Sequence, residues 1–387
     1  MYGAPRPLVD RPRALVRLVR IENVRDGMEL ARDVPASALG SAPLLRRGVH
    51  LTASLASRLG PRGVRALWVE DDLGDGIVPL APLTDEVRHS TEQAVIRCLN
   101  GARAPDGGLS ADAVAQLESA ALEVMHALED CPEAALALDD LASADSYTYG
   151  HSIRVTTLGL MLAQRIARLD GWLDWEGNRR FDNAVARMSE MAMGLLIHDI
   201  GKIAIPEAVL NKPEPLTSEE WELVKTHPSA GASLLPADRV SALTICVVRD
   251  HHERWDGVGY EQGRFGEETH QFARIAAVAD VYDAITADRP YKAAMAPHVG
   301  VRAIRDGAGT QFDPDVVRHF LRIAMPYPVG YSIDLPGGGS GVVTRVDPEA
   351  PEDPVIRFRD PSGRMTEATL RIVDGAVQEP EGVGLYN

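Results

Sequence analysis

Residues 195–206 read Leu-Leu-Ile-His-Asp-Ile-Gly-Lys-Ile-Ala-Ile-Pro, so His198 and Asp199 adjoin at the end of an apolar run, with Lys202 three residues after the acid. Imidazole and carboxylate suit the same borderline metals, Fe, Mn and Zn among them. His151 precedes this pair; His227, the adjacent His251 and His252, and Asp280 in another apolar stretch follow it. A lone histidine is usually a satisfied core or surface residue, and His50, His89, His126, His270, His298 and His319 are read that way. The clustered set is different. Consecutive histidines and an acid inside apolar segments carry a desolvation cost that packing alone does not offset. The pattern predicts a metal-dependent hydrolase with His151, His198, Asp199, His227, His251, His252 and Asp280 as ligands. On a helix, His198 and Asp199 differ by ~100° in direction, so both reach one bulky two-metal centre. A carboxylate has two oxygens and can bridge two cations, which an imidazole cannot, so Asp199 is the expected bridge.

Elements must bring these distant positions together. Residues 1–78 read as a small β-rich N-terminal domain: Leu15–Ile21 and Ala66–Val69 are strand-like, and Leu51–Leu59 is a short helix. The arginines at 6, 11, 13, 17 and 20 are read as a solvated tail and strand face. Residues 84–144 form a helical connector, with Thr84 and Ser110 capping helices to about Leu99 and Leu128 around a turn at 104–108. Its first reading is core packing; the second is a homodimer contact. Residues 145–325 hold nearly all the chemistry and are mainly helical. Helices are expected over Arg154–Ile166, over Ala184–Ile200, from a capping box at Thr217–Glu220 to near His227, where Pro228 follows, and over Phe272–Ala287. Residues 326–387 read as a small C-terminal β-barrel or meander, with Pro348–Pro354 supplying turns. The fold class is multidomain and mainly α: an all-α catalytic domain flanked by small β-rich domains.

Composition narrows the function. The formal net charge of -16 repels long DNA or RNA, while a small anion can still be held beside metal ions. Three cysteines, Cys98, Cys131 and Cys246, match no zinc spacing and no disulfide framework. A reducing cytoplasm fits, and no apolar run approaches the length of a membrane span.

Further stretches sharpen the reading: Tyr147-Thr148 with His151–Val155, His198–Lys202 through Pro206, Leu210–Pro213, Leu216-Thr217 with Glu220-Trp221, His227-Pro228 with Gly231, His251–Glu253 with Asp256-Gly257 and Gly259-Tyr260, Ala273–Ile275 with Val278–Asp280, and Arg289–Lys292. In order and spacing this resembles the HD-GYP family, a branch of the HD phosphohydrolases associated with hydrolysis of cyclic di-GMP. The resemblance implies an HD-type helical domain that hydrolyses cyclic di-GMP to linear pGpG, or on to GMP, by a hydroxide shared between two metals. Fe or Mn is expected first, then Zn or Ni. It implies His151, His198 and Asp280 on one metal, His227, His251 and His252 on the other, and Asp199 on both. Some members carry a Glu four residues before the first His and hold a third metal; Tyr147 stands there, so two metals are expected. Lys202 would stabilise charge on the phosphoryl oxygens, with Asp283 holding it in place. Arg289 and Lys292 would contact guanine or phosphate, beside the Gly259-Tyr260 loop. That loop is also the expected surface for a diguanylate cyclase or another signalling protein. One departure is plain: Glu261 stands where the family has proline, which should loosen the loop. It motivates the alternative of a weakly catalytic, cyclic di-GMP-binding signalling module. Another HD phosphohydrolase, acting on a different cyclic dinucleotide, is the third reading.

Overall fold

The computed structural model describes residues 15–34, 43–62, 64, 66–77, 82–103, 109–129, 147–212, 214–287, 294–336 and 338–378. Arg289, Lys292, Cys131 and the 104–108 turn lie outside the described residues. Contacts divide the chain into two units, one of residues up to 80 with those from Tyr327 onward, the other of nearly all residues from Ala81 to Pro326. The two β-rich ends, expected as separate domains, therefore share one unit, and the helical connector belongs with the catalytic segment.

In the β unit, Ala66–Asp75 is the central strand between Leu15–Arg20 and Glu29–Leu30, both antiparallel to it. Val19, Leu30, Leu51, Leu59, Leu67 and Val69 fill its core. The C-terminal strands Ser332–Asp334, Ser340–Asp347, Ala350–Arg359 and Met365–Thr369 form an antiparallel meander in chain order. The turn expected over Pro348–Pro354 is confined to Pro348 and Glu349, and Ala350–Arg359 runs on through Pro351 and Pro354. The two ends meet through the main chain, where Leu18 N donates to Gly330 O at 3.0 Å. Arg17 is 3% exposed, not on a solvated face. A buried guanidinium needs partners, and it donates to Asp71 at 2.8 Å and to Ser332 Oγ at 3.0 Å.

The other unit is helical. Thr84 caps the helix Asp85–Ala102 by accepting from Val87 N, and Ser110 does the same for Ala111–Glu129 through Ala113 N. Leu117 and Val124 of the connector pack into the same core as Leu160, Met191, Leu195 and Val247. Five helices deliver the site: Tyr147–Leu169, Ala184–Leu196, His227–Leu234, Ala242–Asp250 and Gln271–Thr286. The last is buried nearly all round, which suits a central helix. Two boundaries differ from the sequence reading. The apolar helix ends at Leu196, so His198 and Asp199 lie in a turn leading to a 3-10 segment, Ile200–Ala204. Pro228 opens a helix rather than closing one: Ser218–Val224, with the expected capping box, is followed by His227–Leu234 with proline in its first turn. Proline lacks only an N–H that is unpaired there anyway. Among the described residues no helix is long and apolar enough to cross a membrane.

Candidate metal centre

Close backbone contact sets the site. A Cβ at Gly201 would lie 1.9 Å from His227 O and 2.4 Å from Gly231 N, so only glycine lets the turn after Asp199 rest on the helix that begins at His227. His251 caps the end of Ala242–Asp250, His252 follows, and Asp280 projects from the central helix. All seven expected ligands converge. The ligand atoms of His151, His198 and Asp280 lie within 4.8 Å of one another, as do those of Asp199, His227, His251 and His252. Asp199 faces both sets: Oδ2 is 3.6 Å from His151 Nε2 and 3.5 Å from His198 Nε2, and Oδ1 is 3.3 Å from His227 Nε2.

Hydrogen bonds aim the rings. His198 Nδ1 donates to Leu195 O at 2.8 Å, His227 Nδ1 to Val224 O at 2.8 Å and His251 Nδ1 to Val248 O at 2.9 Å. Each bond places the proton on Nδ1 and leaves the Nε2 lone pair facing inward. His227 and His251 then face each other with Nε2 atoms 3.3 Å apart. Two lone pairs at that distance repel unless a cation lies between them, so the donor set fits divalent metal. Burial, reinforced by neighbouring imidazoles, holds His251 well below its ordinary value, and burial likewise lowers His198 and takes His252 to about 3. Burial opposes charge on Asp199 too, but the Lys202 ammonium and the surrounding rings hold it well below the carboxylate range. His151 is the exception. Burial pushes it down, yet Asp280 and Asp283 overcome this and raise it to about 9. A cation bound at His151 would displace that proton.

Lys202 and Asp283 do not meet as expected. Lys202 Nζ lies 2.5 Å from Asp199 Oδ2. Asp283 accepts from His151 Nδ1 at 2.7 Å and from Arg154 Nε at 2.6 Å, so it orients a ligand rather than the lysine. Arg154 lies three residues after His151 and so on the same helix side, which is the signal the sequence carries for it. Hydrogen bonds brace the loop on both sides of Glu261. Glu253 accepts from Gln262 N at 2.7 Å and Arg264 N at 3.0 Å, and Tyr260 N donates to His252 O at 3.3 Å. A Cβ at Gly259 would meet Arg254 N at 2.4 Å. Glu253 carries a sequence signal too, as an acid directly after His251 and His252. A separate cavity of about 140 Å³, lined by Asp170, Trp255, Gln271, Arg274, Asp313 and His319 among others, includes none of the seven ligands.

The chain matches the HD domain family over residues 161–316, a stretch that contains six of the seven ligands and begins just after His151. It is 34% identical over 334 residues to a cyclic di-GMP phosphodiesterase of Pseudomonas aeruginosa, covering 78% of this chain and 75% of that protein. It is 44% identical over 138 residues to a cyclic di-GMP phosphodiesterase response regulator of Xanthomonas campestris pv. campestris, covering 35% of this chain and 36% of that protein. It is 31% identical over 169 residues to a 3'3'-cGAMP-specific phosphodiesterase of Vibrio cholerae, covering 44% of this chain and 34% of that protein.

Proposed function

This chain belongs to the HD-domain family of cyclic di-GMP phosphodiesterases, and from that premise we propose that it hydrolyses cyclic di-GMP, with linear pGpG as the main product. The convergence of seven His and Asp side chains, with Asp199 facing two sets of three, carries the reading. His151, His198 and Asp280 would hold one divalent ion, His227, His251 and His252 the other, and Asp199 both. Bound there, two ions, Fe or Mn first and Zn or Ni next, would supply Lewis-acid neutralisation of the phosphodiester and an activated water.

The chain's own groups do the remaining work. Main-chain carbonyls at Leu195, Val224 and Val248 keep three Nε2 atoms aimed inward. The Lys202 ammonium, beside Asp199 and one-third exposed, offers positive charge to a phosphoryl oxygen. Arg289 and Lys292 grip guanine or phosphate, and the Gly259-Tyr260 loop flanks the ligand. The same loop is the proposed contact for a diguanylate cyclase or another signalling protein. The cytoplasm is the proposed compartment, consistent with Cys98 and Cys246 as free, buried thiols.

Similarity to the 3'3'-cGAMP-specific enzyme favours one second reading, in which the site takes a mixed cyclic dinucleotide. Metal-loaded protein should be given cyclic di-GMP and 3'3'-cGAMP side by side, with products separated by chromatography. Faster consumption of cyclic di-GMP, yielding pGpG, is expected. Preference for 3'3'-cGAMP would transfer the assignment to the second reading.

A further inference from the structure

A tier of rings runs from the metal centre to solvent. The Tyr260 ring centroid lies 4.8 Å from that of the ligand His252. Trp221 meets Tyr260 edge-on at 6.2 Å, with an interplanar angle of 78°. Lys225 Nζ sits 6.0 Å from the centroid of the same Tyr260 ring. Trp221 itself is 47% exposed. Single exposed apolar side chains are ordinary on a protein surface. Trp221 differs in being held beside a ligand-bearing loop.

The short helix Ser218–Val224 carries it, and that helix is pinned at its start. Thr217 and Glu220 form a reciprocal capping box, and Lys212 Nζ holds Glu220 at 2.6 Å. Trp175 is also exposed, but it lies against His270, which is not one of the seven ligands. In a cyclic dinucleotide each base is one ribose away from its phosphate. A phosphate at the metals therefore brings a purine to the rim, where a wide π surface is already fixed in place. Every base has a π face, so stacking there favours nucleotides over phosphodiesters without bases.

Resting on the phosphodiesterase reading, we propose that Trp221 is the platform on which one purine of the cyclic dinucleotide stacks. Its edge contact with Tyr260 holds the indole in place, and Lys225, paired with Glu222 at 2.5 Å, lies over the same Tyr260 ring. Trp221 thus sets affinity and takes no part in bond breaking.

The test uses the full metal-loaded chain as wild type, Trp221→Ala and Trp221→Phe, with cyclic di-GMP and 3'3'-cGAMP as substrates. Trp221→Ala should raise KM roughly 10- to 100-fold while kcat and metal content stay at wild-type values. Trp221→Phe should recover most of the affinity. Substrate should quench tryptophan fluorescence in the wild type and much less in Trp221→Phe, a signature that decides the matter even if the alanine variant folds poorly. Wild-type KM in Trp221→Ala, or unchanged quenching in Trp221→Phe, overturns the platform and leaves the phosphodiesterase reading standing. If the wild type hydrolyses neither dinucleotide, both readings fall together.

Discussion

Three histidines of the cluster, His198, His227 and His251, donate Nδ1 to a main-chain carbonyl three residues earlier, whereas His151 donates to Asp283. A carboxylate partner fixes the ring and raises its basicity. Asp283→Asn should therefore weaken metal binding about 10- to 100-fold, as measured by competition with a chelator, with turnover recovering at saturating metal. Unchanged affinity would mean that Arg154 and packing position His151 without Asp283. The convergent cluster itself was legible in the sequence, because clustered His and Asp in apolar segments have few uses other than metal binding. The partner of Asp283 was not. Spacing places Asp280 and Asp283 on one face of a helix, but which distant side chain crosses to meet them depends on tertiary packing.

At the scale of elements, the site depends on how closely the turn after Asp199 approaches the helix His227–Leu234. Gly201→Ala would force a Cβ against His227 O. The expected cost is about 1–3 kcal/mol or more, together with loss of bound metal, because the His227 helix must retreat. Denaturant midpoints with metal analysis check this; wild-type stability and metal content would show that the contact can yield. Periodicity located the helices because their apolar faces repeat along the chain, but their ends obey local rules. Ile197 leaves the helical conformation with φ -122°, stopping the helix before His198. Pro228 reads equally well as the end of one helix or the start of the next, and the structure takes the second. The brace from Glu253 to the 259–264 loop spans nine and eleven residues and has no periodic signature.

At the scale of the whole molecule, acid stability falls in two stages. Burial, with the Arg274 charge beside it, lowers His270 to about 4. The unfolded ring takes a proton below about pH 6.5 and the folded ring does not, so stability falls from there and this loss levels off near pH 4. Asp170, held at about 2 by Arg318 and His319, contributes stability that is present above about pH 4 and lost as pH falls through 2. His270→Asn keeps a side chain able to cap Phe272 N but does not titrate there. Thermal midpoints of metal-loaded protein should fall less between about pH 6.5 and 4 in this variant than in wild type; parallel curves would assign the loss elsewhere. The β-rich and helical segments were legible from alternation and helical spacing. The joining of the chain's two ends was not, because the bond from Leu18 to Gly330 links residues that nothing in the local pattern relates. The central claim is that one two-metal centre built on Asp199 cleaves cyclic di-GMP. It is tested most directly by purifying the chain without oxygen and measuring hydrolysis and metal content on the same sample, beside Asp199→Ala. About two divalent ions per chain with turnover, and loss of turnover in the variant, is the predicted result. Protein that binds no metal, or that turns over equally well with Asp199 replaced, would contradict the account.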